Sequence, residues 1–160
     1  MLQPAAIDGW AFARNAALLE GRLGMESLPR LAQSGCLGAV LDFVLTGEIN
    51  ERGKPGLRLV LNGSARLECQ RCLGSLDFPL HVETCLELAS SEAEITAADD
   101  NAERVVAGHV MNVAVLVEDE VLLALPMVPK HAQCRAAAEL GANAAPSAFE
   151  ALATLRRLDK

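Results

Sequence analysis

The sequence predicts a single α+β domain over residues 1–160. An antiparallel sheet, flat or rolled into a partial barrel, is packed by one long amphipathic helix, with helical elements at the N- and C-termini. Three observations predict it. Apolar side chains recur with a period of two between residues 40 and 88; the spacing turns helical over residues 112–125; and both ends of the chain carry helix start signals. Hydrophobic residues make up 51% of the 160 and aromatics only 3%, so the core must be built mainly from Leu, Val and Ala. With one Trp and no Tyr, the chain has few platforms on which an exposed base could stack.

The elements follow in order. Residues 1–35 read as a helical arm: Asp8 caps a helix through Trp10, Ala13, Ala17 and Leu18, with Gly21 and Gly24 as stop signals. A second short helix begins at Ser27, with Pro29 in its first turn and Leu28, Leu31 and Ala32 facing inward. Leu41, Phe43 and Leu45 then open the two-residue period, and Gly53-Lys54-Pro55-Gly56 supplies a turn. Leu57, Leu59, Leu61, Ala65, Leu67 and Cys69 share one parity, which describes a half-buried strand, and Phe78, Leu80, Val82, Leu86 and Leu88 repeat it. Cys69 and Cys72 therefore fall at the connection of an antiparallel hairpin, the setting of a zinc knuckle.

Residues 90–104 are acidic and rich in small side chains, and read as a mobile surface loop. Asn112 caps the long helix, whose Val113, Leu116, Val117, Val121, Ala124 and Leu125 form the buried face while Glu118 and Asp119 point outward; Pro126 ends it. Ser147-Ala148-Phe149-Glu150 has the capping-box form and opens a terminal helix over residues 147–158.

Charge narrows the partners. The net charge is −7; residues 1–80 hold eight acids and eight bases, whereas residues 81–160 hold thirteen acids and six bases. Such a chain repels nucleic acid at long range, so an RNA contact needs a local basic patch, and Arg58, Arg66 and Arg71 are its candidates. A basic protein partner fits the charge better. No export signal opens the sequence and no apolar run reaches a membrane span, which makes a cytoplasmic protein the expectation and its five cysteines thiols or metal ligands.

Three stretches carry a family resemblance: Leu67-Glu68-Cys69-Gln70-Arg71-Cys72, the string from Val117 through Leu125-Pro126 to Pro129 and Cys134, and Phe149 to Arg157. Together they resemble the YceD family, the bacterial large ribosomal RNA subunit accumulation proteins. The resemblance implies a role in synthesis, processing or stability of 23S ribosomal RNA, without a defined catalytic activity. It also implies cysteine pairs at both ends of the motif, where this chain has His131 in place of one Cys.

Cys69, Cys72, His131 and Cys134 are accordingly expected to hold one zinc ion per chain in a closed tetrahedral site. The alternative leaves Cys69 a small buried hydrophobe and Cys134 a surface thiol. Cys85 is expected to face solvent or a covering element, and Cys36 to sit in a turn. His81-Val82-Glu83 fails as a deaminase motif because its Cys-x-x-Cys precedes rather than follows it. Glu118-Asp119-Glu120 cannot converge on one magnesium ion, since consecutive helical residues point about 100° apart. Two rivals remain: a thiol–disulfide oxidoreductase using Cys69 and Cys72, and a zinc-stabilised interaction module unrelated to ribosomes.

Overall fold

The computed structural model describes residues 6–135. The long alternating runs become long strands, and they dominate the molecule. In chain order the elements are β1 (Ala6–Ile7), α1 (Gly9–Arg14), β2 (Leu18–Gly24), a 3-10 turn (Met25–Ser27), α2 (Pro29–Gln33), β3 (Gly38–Ile49), β4 (Pro55–Glu68), β5 (Ser75–Ala89), α3 (Glu92–Ala97), β6 (Arg104–Val106), β7 (Met111–Asn112) and α4 (Val113–Ala124). Five strands form one sheet in the order β2-β3-β4-β5-β6, antiparallel except where β6 runs parallel to β5, and β1 pairs with β7 in a separate ribbon.

The expected architecture is corrected here. Among the described residues the molecule is mostly β, the principal sheet is mixed rather than purely antiparallel and its strand order does not close into a ring, and no long amphipathic helix packs it. Only α4 exceeds seven residues among those described, and polarity does not segregate around it. Its buried side includes Glu118, while Val115 and Leu123 are exposed. The N-terminal region is also less helical than expected. Asn15 ends α1, Ala16 turns the chain with a φ of 47°, and residues 18–24 pair with β3 as an edge strand. Within residues 90–104 the chain forms α3 and enters β6. The terminal helix expected over residues 147–158 lies outside the described residues.

The core sits on one face of the sheet. Leu41, Leu45, Leu57, Leu59, Leu61 and Ala65 are fully buried there, under α1, α2 and α4, which contribute Ala13, Leu31, Val117 and Val121. The opposite face of β2, β3 and β4 carries alternating exposed residues such as Arg22, Asp42, Asn62 and Arg66. Asp8 caps α1 by accepting from Ala11 N–H, and Asn112 caps α4 by accepting from Ala114 N–H, as their side chains predict.

α2 has no such cap, because Leu28 stands at its N-cap and Pro29 opens it. Glu118 of α4 takes over that role. Its Oε1 accepts from Leu31 N–H at 2.9 Å and its Oε2 from Arg30 Nε at 2.9 Å, while Arg30 also reaches Asp119 and the carbonyl of Val115. Glu118 is thus 2% exposed, contrary to the expected outward orientation, because a helix start with orphan N–H groups needs an anion more than the solvent does.

A further polar network secures the far end of the sheet. Glu87 on β5 is buried and accepts from Asn50, Arg52 and Arg104, and Asp100 binds both arginines. Those two guanidiniums, Arg104 first, hold the Asp100 carboxyl far below the usual carboxylate range.

Close packing is sharpest at two glycines, Gly63 against the Val40 carbonyl and Gly47. β3 passes beneath α1 at Gly47, where a Cβ would overlap the Phe12 carbonyl and stand 2.8 Å from the Ala13 Cα. Gly47→Ala is expected to lower the unfolding free energy by about 1–3 kcal/mol, seen as a lower urea midpoint at unchanged slope. An unaltered midpoint would mean that α1 lifts freely from the sheet.

Candidate metal centre

The β4–β5 connection contains Cys69 and Cys72, and its shape follows from its residues. Leu73 N–H donates to the Cys69 carbonyl at 2.9 Å, Leu73 adopts a φ of 60°, and Cys69 N–H donates to the Gly74 carbonyl at 2.8 Å. This tight loop turns both sulfurs toward the same side. After α4 the chain passes through Pro126 and Pro129, and Gln70 N–H donates to the Pro129 carbonyl at 2.8 Å. That bond places His131 and Cys134 against the loop.

The four ligand atoms lie within 4.8 Å of one another. Cys69 Sγ is 3.7 Å from Cys134 Sγ, and Cys72 Sγ is 3.3 Å from His131 Nδ1. A tetrahedral zinc with bonds of about 2.3 Å to sulfur and about 2.0 Å to nitrogen would set its ligands about 3.5–3.8 Å apart, close to both separations. His131 Nε2 lies 2.9 Å from the Ser75 carbonyl, so this nitrogen carries the proton and Nδ1 presents its lone pair to the cluster. These residues can hold a metal ion, and three thiols with one imidazole are compatible with zinc.

The electrostatics favour thiolate at Cys69. Burial opposes a charge on Cys69, yet the N–H groups of Cys72, His131 and Arg71 surround its sulfur and hold the thiol down at about 5. Burial, followed by the bonds from Cys69 and Cys72, pushes the Cys134 thiol up. Arg71 donates from Nε to Cys134 Sγ at 3.1 Å and from a terminal nitrogen to the His131 carbonyl at 2.7 Å. It is thereby the cation beside the sulfurs.

The three arginines singled out in the sequence do not converge. Arg58 and Arg66 lie on the exposed face of β4 but eight positions apart, about 26 Å at the rise of a strand. Arg58 binds Glu48 and Glu83, Arg66 binds Asp77, and Arg71 belongs to the cysteine cluster. Cys85 is exposed and Cys36 is buried, its thiol against the carbonyl of Gly38. Ser75, whose carbonyl orients His131, had no signal in the sequence, since any residue supplies a backbone oxygen. Glu118 had one: a carboxylate inside an otherwise apolar helical stripe.

Residues 57–155 match the family described as large ribosomal RNA subunit accumulation protein YceD, well over half of the chain. The chain belongs to the YceD family. No solved structure matches it. The YceD match spans Cys69, Cys72, His131 and Cys134 together with α4, whereas β2 and β3 precede it. The family's description ties the chain to ribosomal RNA accumulation. Among the described residues no helix is long and apolar enough to cross a membrane.

Proposed function

We propose that this chain is a non-enzymatic ribosome-biogenesis factor supporting synthesis, processing or stability of 23S ribosomal RNA in the cytoplasm, and that one zinc ion per chain clamps its β4–β5 loop to the segment after α4. The observation that carries this reading is the mutual reach of four ligands drawn from two remote stretches, inside the region that matches the YceD family. Four protein ligands leave zinc no open position for a substrate, so the ion's part is structural. With three thiolates the bound centre would carry a charge of about −1, which Arg71 offsets at Cys134.

A basic ribosomal or assembly protein is the favoured partner. On the exposed sheet face Arg22, Arg58 and Arg66 are each paired with an acid, and Glu20 and Glu68 add unpaired negative charge among the described residues. Direct contact of Arg58 or Arg66 with phosphate would first break those pairs, and contact through Arg71 would draw it from Cys134 and the His131 carbonyl. The oxidoreductase alternative asks Cys69 to attack a substrate disulfide, but its side chain is fully buried and flanked by strands rather than placed at a helix N-terminus.

Chain purified without chelators is expected to contain about one zinc, and in cell lysate to sediment with large-subunit precursors. Zinc-free protein whose native thiols all titrate would remove the clamp. Absence from precursor fractions, with zinc present, would leave an interaction module unconnected with ribosomes.

A further inference from the structure

Among the described residues β2 is one of the two edge strands of the sheet, and its outer side is self-complementary. Ala17 accepts from Gly47 N–H at 2.8 Å, so the backbone groups of alternate residues 19, 21 and 23 point toward β3. Those of Leu18, Glu20, Arg22 and Gly24 therefore point away from it. Among the described residues no strand pairs with that side of β2. An open edge of this length is a template for another strand.

We infer that a second copy of this chain occupies it, with β2 antiparallel to β2 about a two-fold axis at Gly21. In that register Glu20 faces the partner's Arg22, and Arg22 faces the partner's Glu20. Both are outward-pointing residues, so each such pair also exchanges two backbone hydrogen bonds. The charges then alternate across the seam: Asp42, which pairs with Arg22 at 3.2 Å, precedes Arg22 and the partner's Glu20. Glu20, opposite Val44 in the sheet, has no ion-pair partner among the described residues of its own chain.

Apolar groups match in the same register. Leu18 is 63% exposed and falls opposite the partner's Gly24, beyond which lies Val40, itself 48% exposed. Gly24, Val40 and Ser64 help line an open groove of 740 Å³, which the partner's Leu18 enters. Glu26, whose carboxylate hangs over Gly24 on a flexible stem, swings aside. On the core face Leu19 meets the partner's Leu23. The axis falls where Gly21 lacks a side chain and the Phe43 ring fills its place, so nothing projects between the two strands. The product is an isologous dimer with one continuous sheet.

A charge-swap series tests this. Wild-type chain is expected to sediment as a dimer in the tens-of-micromolar range, about the strength of a transient pairing. Glu20→Arg and Arg22→Glu each set like charges opposite one another at two places, and each weakens dimerisation about tenfold or more while circular dichroism stays unchanged. Mixed in equal amounts, the two variants restore the dimer as a heterodimer, since every Arg then faces a Glu. Monomeric wild type across that range, single variants that associate like wild type, or a mixture that stays monomeric would each overturn the proposal.

Discussion

Cys69→Ser is expected to abolish stoichiometric zinc and to lower the unfolding free energy by about 3–4 kcal/mol in the presence of metal. The estimate follows from linkage: an ion that binds the folded chain at about a thousandfold over its dissociation constant contributes about 4 kcal/mol. Cys69 is the right position to change because it is the fully buried sulfur and the one toward which three backbone N–H groups converge. Chelator should lower the thermal midpoint of wild type toward that of the variant and leave the variant unmoved. Metal content by mass spectrometry and the two melting curves read the result. A wild-type midpoint indifferent to chelator would show that Gln70 to Pro129 and the proline-framed segment suffice without an ion.

Glu118→Ala is expected to cost about 2–4 kcal/mol, because it strips the acceptor from a buried backbone N–H at the start of α2 and leaves Arg30 without its inner partner. Arg30 is 44% exposed and can recover water, so the larger share belongs to Leu31 N–H and to the void. Glu118→Gln should therefore cost less, about 1–2 kcal/mol, since an amide oxygen still accepts from Leu31. Urea denaturation of the two variants separates a capping role from a charge role. Equal losses would assign the effect to the ion pair instead.

Much of this was legible in the residues. β3, β4 and β5 announce themselves by alternation because one face of each is buried, and the Cys69–Cys72 loop falls between two of them as their spacing implies. Asp8 and Asn112 cap as short polar side chains do. β2 was concealed because its inward position 21 is glycine, a residue that reads as a helix stop; the Phe43 ring supplies the missing bulk from the next strand, and no local window contains both. α3 carried a signal in Ser91 and Glu94, a capping pair in which Ser91 accepts from Glu94 N–H, but the acidic setting masked it. Glu118 was misplaced for a related reason: its partner lies 87 residues away, and periodicity cannot say that an acid on a helix faces a naked N-terminus.

The boundary of the family match has a physical consequence. Residue 57 falls at the start of β4, yet β4 is hydrogen-bonded to β3 from Pro55 to Arg66, and Glu118 reaches back to Arg30 and Leu31. A piece cut at that boundary would bare one whole flank of its central strand and take from Glu118 both of the groups it holds. The stretch that kinship recognises therefore shares its strand pairing and its buried ion pair with the fifty-odd residues ahead of it.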